Sequence, residues 1–192
     1  IRFLREISHP AVPFVHLDGQ VGKIPYYIMD YVEGITFEQA IFQEQRKFTV
    51  GDALHYGKLL LMIVIDLHEI GIVHRDLRIP NILLHDGQLH IIDFGLAARI
   101  RETDEITNPK KAENHISDLY FLGHFLLYLM YSDFTPSDRK NRSWQEELLL
   151  PQELIEFIER LLLIRPGFRS AKEACADINN LIMQLSKPSV FR

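Results

Sequence analysis

Two apolar stretches, residues 59–65 and 119–131, constrain the fold of this 192-residue chain more than any other feature. They are seven and thirteen residues long, whereas a membrane-spanning helix needs roughly 20 apolar residues. A helix that is apolar on every face is stable in water only when other elements surround it. Both stretches therefore predict buried core helices of a globular domain, and a membrane partner is not expected.

The composition fits one globular domain, since 47% of the residues are apolar and 24% are charged. A chain of this length buries about 70% of its unfolded surface, so its core needs no disulfide or metal. Cys175 is the single cysteine, which suits a reducing compartment and predicts a cytoplasmic location. The net charge of −5 gives no overall attraction to nucleic acid or to an anionic membrane.

The residue pattern predicts a mostly α-helical domain with a little antiparallel sheet. Helices are expected over residues 36–45, 49–69, 118–131, 151–163 and 170–185. One hairpin is expected to join residues 12–17 to 24–30 through a connection at 18–23, and another to join 82–84 to 89–92 through 85–88. Residues 99–117 have mixed charge and no sustained period, which is typical of a loop.

The residues suited to chemistry lie in two short motifs. The first is His74-Arg75-Asp76-Leu77-Arg78-Ile79-Pro80-Asn81, and the second is Asp93-Phe94-Gly95. Phosphoryl transfer needs a carboxylate to orient the attacking hydroxyl, oxygen ligands for Mg²⁺ and a cation beside the transferred group. Asp76 can supply the carboxylate, Asn81 and Asp93 the metal ligands, and Arg78 the cation.

These motifs resemble H-R-D-L-x-x-x-N and D-F-G of the protein kinase family, in the same order and with Asp93 twelve positions after Asn81. The resemblance implies an α+β, protein kinase-like fold, mainly the α-helical C-terminal lobe with a partial N-terminal lobe. Residues 1–31 would then be a residual N-terminal lobe with the end of the C-helix and two strands, and residues 32–192 the catalytic lobe. It also implies ATP and Mg²⁺ as cofactors.

Residues 27–34 are similar to the strand and hinge that join the two kinase lobes. The resemblance places Met29 at the gatekeeper position and the backbone of Asp30 and Val32 against adenine. Leu83 would then pack beneath the adenine ring.

Further likenesses extend towards the C-terminus. Asp118 matches the aspartate of the central helix, which implies that it anchors the catalytic loop and has no catalytic role. Residues 165–169 resemble the D-P-x-x-R element, with Arg165 in place of its Asp. The Arg75 guanidinium can bind a phosphate or an acid on the loop after D-F-G, and Thr103 and Thr107 are the candidate phosphate acceptors there.

The chain also departs from the family pattern. Residues 4–10 resemble the end of the C-helix, but residues 1–192 contain no counterpart of the strand Lys or of the Gly-rich loop. We therefore expect the 192-residue polypeptide on its own to be catalytically silent. Asp118 follows Asp93 by only 25 positions, and A-P-E is reduced to Ala112-Glu113, which predicts a shortened platform for a peptide substrate.

On these grounds the chain is most similar to a small bacterial-style serine/threonine protein kinase, with ATP and a protein as its substrates. One alternative is a pseudokinase or scaffold that acts by binding a partner. Another is an atypical small kinase or ATPase with a non-protein acceptor, such as the kinase-like ATPase of the tRNA threonylcarbamoyl machinery. Asp76, Asn81 and Asp93 are all intact, which favours an enzyme because grouped polar side chains carry a burial cost without a stability benefit.

Overall fold

The computed structural model describes residues 3–101, 107–135 and 142–185. Helices and small antiparallel sheets alternate along the chain, as the resemblance predicts. The helices of the described residues are α1 (Phe37–Phe42), α2 (Val50–Glu69), α3 (His115–Tyr131), α4 (Trp144–Glu147), α5 (Gln152–Leu161) and α6 (Ala171–Leu185). None of them is both long and apolar enough to cross a membrane.

The strands of the described residues form three small sheets. They are β1 (Val15–Val21), β2 (Ile24–Met29), β3 (Ile35–Thr36), β4 (Ile72–Val73), β5 (Ile82–His85), β6 (Gln88–Ile91) and β7 (Ala98–Arg99). β1 pairs with β2, β5 lies between β3 and β6, and β4 pairs with β7. All of these pairings are antiparallel. Short turns join β1 to β2 and β5 to β6, whereas β3–β5 and β4–β7 pair strands that are distant in the sequence.

The long helix α2 lies at the centre of the core and begins at a capping box. The Thr49 hydroxyl accepts a hydrogen bond from the Asp52 N–H, and the Asp52 carboxylate accepts one from the Thr49 N–H, which pairs two otherwise unsatisfied helix donors. The helix ends before Gly71, whose φ of +75° favours glycine. α3 and α6 pack against α2, and both predicted core helices are confirmed.

An aromatic cluster fixes α1 against this core. Phe37 is fully buried, and its ring centroid lies 5.0 Å from that of Phe125 on α3 and 5.2 Å from that of Tyr56 on α2. Both pairs meet edge to face, the arrangement that aromatic rings prefer. The N-terminal end of α1 is thereby held near residues 79–81 of the first motif.

Two glycines of α2 provide a matched test of this packing. A Cβ on Gly57 would lie 2.6 Å from Leu126 Cδ2, so we expect Gly57→Ala to lower the free energy of unfolding by about 1 kcal/mol, because overpacking exceeds the gain in helix propensity. A Cβ on Gly51 would meet only Thr49 Oγ1, at 3.6 Å, so Gly51→Ala is expected to raise it by about 0.5 kcal/mol. Urea unfolding measures both, and equal shifts would contradict the packing.

The first hairpin differs from the sequence expectation. β1 continues through the predicted connection as far as Val21, which pairs with Ile24, so only Gly22 and Lys23 remain in the turn. Gly22 has a φ of +63° and thus supplies the left-handed conformation of a two-residue turn. The predicted connection at residues 18–23 was wrong because Asp18 and Gly19 pair within the ladder.

The segment expected to be a loop at residues 99–117 contains the end of β7 and the start of α3. Asn114 caps α3 by accepting a hydrogen bond from the Ile116 N–H, so the helix begins three residues before the predicted Asp118. Thr103 lies outside the described residues, and Thr107 is exposed.

The start of α6 is held by Ser170 and Glu173. The Ser170 hydroxyl accepts a hydrogen bond from the Glu173 N–H at 3.2 Å. The Glu173 carboxylate accepts hydrogen bonds from the Arg169 N–H and from the Arg169 and Arg160 guanidiniums. These bonds lower the pKa of Glu173 to about 2, and the bond from the Arg169 N–H has the largest effect. Arg169, in the segment that resembles D-P-x-x-R, therefore binds Glu173 in the first turn of α6.

Candidate active site

The first motif forms a loop between β4 and β5 that is fastened to α3 by Asp118. The Asp118 carboxylate is fully buried and accepts hydrogen bonds from the N–H groups of His74 at 3.0 Å and Arg75 at 2.8 Å. His68 Nε2 lies 2.8 Å from the same carboxylate. Arg75 has a φ of +68°, which is uncommon for a residue with a side chain, and the Asp118 bond holds it there. The anchoring role predicted for Asp118 is confirmed.

His74 connects this loop to the second motif. Its ring is fully buried, and burial lowers the pKa of His74, so the ring is neutral near pH 7. His74 Nδ1 accepts a hydrogen bond from the Asp76 N–H at 3.2 Å, so the proton resides on Nε2, which donates to the Ile92 carbonyl at 3.2 Å. The ring also packs edge to face on Phe94, with centroids 4.5 Å apart.

Asp76 lies at the centre of a compact polar cluster. Its carboxylate accepts hydrogen bonds from Arg78 Nε and Nη2 and, at 2.8 Å, from Asn81 Nδ2. The hydrogen bond from Arg78 is the main cause that lowers the pKa of Asp76, so the group is an ionised acceptor at neutral pH. The structure thus brings together three of the residues predicted to be catalytic.

Asn81 and Asp93 carry the oxygen atoms that are candidates for binding a metal ion. Both hydrogen bonds of Asn81 Nδ2 go to Asp76, to its carbonyl at 2.9 Å and to its carboxylate, which leaves Asn81 Oδ1 as a potential ligand. The backbones are joined because the Ile92 N–H donates to the Asn81 carbonyl at 3.0 Å. Asp93 is exposed, adopts a φ of +62°, and accepts a hydrogen bond from the Gly95 N–H at 3.1 Å.

These two oxygen donors fit Mg²⁺ only together with a nucleotide. The described residues contain no group of three or more His, Cys, Asp or Glu side chains that could hold a metal ion. Mg²⁺ commonly binds through one or two protein ligands plus substrate phosphates and water. The donor set of Asn81 and Asp93 matches that requirement, and a bound nucleotide would have to supply further ligands.

The residues predicted to contact adenine form a second group at the end of β2. Met29 ends the strand opposite Val15, and the Asp30 N–H donates to the Phe14 carbonyl at 2.9 Å. The Asp30 carboxylate accepts hydrogen bonds from His16 and from the Phe14 N–H. Both bonds lower the pKa of Asp30, and the bond from His16 has the larger effect. The acidic side chain therefore joins the end of β2 to Phe14 and to His16 of β1.

The backbone of Val32 is free for a ligand within the described part of the chain, where no hydrogen bond involves its N–H or its carbonyl. Leu83 is nearly buried, at 7% exposure, and pairs with Thr36 across β3 and β5. No hydrogen bond or ion pair of the described residues joins this hinge group to the Asp76 cluster.

Sequence reasoning missed two side chains that support the catalytic loop. His68, on the last turn of α2, contacts an aspartate 50 residues away. Glu113 contacts Arg75 and Arg101, with closest nitrogen–oxygen distances of 3.6 Å and 3.3 Å. Neither contact leaves a local pattern in the sequence. The signals for Glu113 were its place in the reduced A-P-E motif and the expectation that Arg75 could bind an acid.

Comparison with solved structures defines the class of fold. The chain matches a structure titled "Crystal Structure of the yeast RNA Pol II CTD kinase CTDK-1 complex" with a TM-score of 0.67, over 91% of this chain and 77% of that one, at 19% identity. This likeness establishes the fold. The sequence matches the protein kinase domain over residues 1–123, and the chain belongs to the protein kinase family.

Curated relatives carry the same family name. The chain is 36% identical to the probable serine/threonine-protein kinase YbdM of Bacillus subtilis, over 97% of this chain and 72% of that protein. It is 32% identical to the serine/threonine-protein kinase PknG of Mycolicibacterium smegmatis, over 71% of this chain and 21% of that protein. It is 28% identical to the serine/threonine-protein kinase PrkC of Bacillus subtilis, over 67% and 23% respectively. The chain thus spans only about a fifth to a quarter of PknG and PrkC.

Proposed function

We propose that this chain transfers the γ-phosphoryl group of ATP, with Mg²⁺, to a serine or threonine hydroxyl of a protein, as part of a serine/threonine protein kinase. Residues 32–192 act as the catalytic lobe and residues 1–31 belong to the N-terminal lobe. The observation that carries the proposal is the Asp76 cluster, in which an ionised carboxylate lies between a guanidinium and an amide. The relatives named as serine/threonine-protein kinases support the acceptor type.

Each side chain of the cluster has a distinct task in this proposal. Asp76 accepts a hydrogen bond from the acceptor hydroxyl and orients its oxygen for attack. Arg78, whose side chain is 57% exposed, adds positive charge where charge develops on the transferred group. Asn81 and Asp93 would hold Mg²⁺, which would supply positive charge to the nucleotide phosphates.

The hinge supplies the nucleotide site. With the Asp30 N–H committed to Phe14, its carbonyl remains as an acceptor for the adenine amino group, while the Val32 backbone offers both a donor and an acceptor. Leu83 provides an apolar surface beneath the ring. One donor and two acceptors along an edge, with one apolar face, suit a planar heterocycle, which supports ATP as the phosphoryl donor.

The other readings have less support. A scaffold does not need the intact Asp76 cluster. An atypical small kinase or ATPase with a non-protein acceptor would need it, but the relatives named as serine/threonine-protein kinases favour a protein acceptor. A cytoplasmic site of action stays a prediction, supported by the single, unpaired Cys175. The catalytic silence of residues 1–192 on their own also stays a prediction.

The metal site is tested by thermal unfolding of the full-length protein with ATP, in EDTA or in Mg²⁺. We expect Mg-ATP to stabilise the wild type by mass action, by about 2.7 kcal/mol at 100 times the dissociation constant. Asp93→Asn should remove the Mg²⁺-dependent part and keep the rest, because asparagine tolerates the positive φ and can still accept from the Gly95 N–H. Mg²⁺ alone should have little effect.

Asp86→Asn is the matched control, since Asp86 has a positive φ and a 91% exposed side chain in the β5–β6 turn. It should behave as the wild type. A full-length protein whose melting temperature ignores Mg-ATP would favour the scaffold.

A further inference from the structure

A groove of about 320 Å³ lies between α1 and α3. The end of α1 contributes Ile41 and Phe42 to its lining, and α3 contributes Leu127 and Tyr128. Phe42 is 63% exposed and Tyr128 is 48% exposed, although the burial of a large apolar side chain is favourable. Exposed apolar side chains that adjoin one another are typical of a surface that binds a partner.

The polar side chains that line the groove are uncharged. The Tyr131 hydroxyl donates a hydrogen bond to the Glu147 carboxylate at 2.6 Å, and the Ser132 hydroxyl donates one to the Leu129 carbonyl at 2.6 Å. Burial is the main cause that lowers the pKa of His124, so its ring is neutral near pH 7. None of the described side chains that line the groove is Asp, Glu, Lys or Arg. The groove therefore suits an uncharged, apolar side chain.

The helix α1 also borders the catalytic cluster. The hydrogen bond to Asp76 is the largest cause that raises the pKa of Arg78, and the negative charge of Glu38, on the first turn of α1, adds to it. Glu38 therefore lies near the Arg78 guanidinium. Residues three and four positions apart share one face of a helix, with Cβ atoms about 5–6 Å apart, so Ile41 and Phe42 follow Glu38 along that face. The groove thus begins about one helical turn from the cluster that contains Asp76.

We propose that this groove selects the protein acceptor by binding a large aliphatic or aromatic side chain that lies a few residues from the phosphorylated serine or threonine. An extended segment advances about 3.3 Å per residue, so a side chain about two to four positions from the hydroxyl reaches the groove. The groove is continuous with the acceptor side of the catalytic cluster, which favours the acceptor over other occupants. The inference rests on the proposed phosphotransferase activity and adds the class of protein substrate.

The selectivity is measured with the full-length protein, labelled ATP and pairs of serine peptides. One peptide of each pair carries leucine or phenylalanine at a single position, two to four residues before or after the serine, and the other carries alanine there. We expect at least one such position to raise kcat/KM about tenfold over alanine, with the KM for ATP unchanged. Phe42→Ala should bring this ratio close to one. Leu149→Ala is the matched control, since Leu149 is 93% exposed and lies outside the groove, and it should keep the preference.

A charge introduced into the groove separates selectivity from unfolding. Phe42→Glu should favour lysine over leucine at the same peptide position, because the new carboxylate attracts a cation and repels an anion. A variant that had only lost its fold would gain no such preference. Equal kcat/KM values for the apolar and alanine peptides at every position, or a preference that survives Phe42→Ala, would overturn the inference.

Fluorescence anisotropy of the labelled peptides without ATP is a readout that does not depend on activity. The apolar peptide should bind more tightly than its alanine partner, and Phe42→Ala should abolish the difference. If the wild type phosphorylates none of the peptides, the proposed function fails, and equal binding of both peptides would reject the groove separately. A dimeric wild type that Phe42→Ala converts to a monomer, with unchanged selectivity, would assign the groove to a second copy of the chain and would also overturn the inference.

Discussion

Asp118→Ala is expected to lower the free energy of unfolding by about 3–5 kcal/mol, since each buried donor left without a partner costs about 1–3 kcal/mol. The substitution removes the acceptor of the His74 and Arg75 N–H groups and of His68. The Asp118 side chain is fully buried, so these donors lose their partner inside the core. The left-handed Arg75 would also lose the bond that holds it. Urea unfolding followed by circular dichroism measures the loss.

Asp66→Ala is the matched control for this change. Asp66 also contacts a histidine, His9, at 3.0 Å, but its side chain is 55% exposed, so the substitution should cost less than about 1 kcal/mol. Two similar small losses would mean that Asp118 does not support the catalytic loop and would contradict its anchoring role.

The parts of the fold that sequence predicts well are those with a local cause. The capping box of Thr49 and Asp52 and the glycine after α2 are visible in neighbouring residues, and the structure places the helix ends there. The β5–β6 turn is similar, because Asp86 and Gly87 both take the positive φ that such a turn needs. Local patterning failed at β1, where Asp18-Gly19 is a turn signal by composition but ladder pairing with β2 determines the conformation.

The candidate site divides in the same way. Asp76, Arg78 and Asn81 lie within one motif, so their proximity could be predicted from a short segment. The supports of the loop come from elsewhere: His68 is on α2, and Glu113 lies 38 positions after Arg75 in the sequence. Their contacts depend on how α2, α3 and the catalytic loop pack together, and no local sequence pattern predicts this packing.

Asp76→Asn should have the opposite profile to Asp118→Ala, with a large loss of activity and little loss of stability. A positioned carboxylate contributes about 10²–10⁴-fold to rates of this kind, so transfer by the full-length protein should fall by at least about 100-fold. The stability cost should be about 1 kcal/mol or less, because the Arg78 partner is more than half exposed. Asn81 Nδ2 also keeps its bond to the Asp76 carbonyl.

The comparison of the two variants separates catalysis from folding at a single loop. Asp76 and Asp118 are both buried aspartates that contact the catalytic loop. Of the two groups that bind Asp76, Arg78 is exposed to solvent and Asn81 Nδ2 has a second acceptor. Within the described residues, the groups that bind Asp118 have no such alternative. Labelled-phosphate transfer and urea unfolding should be measured on both variants, with Asp86→Asn as the control that changes neither. If Asp76→Asn keeps its transfer rate to within tenfold, the carboxylate does not orient the acceptor hydroxyl, and another group of the site must do so.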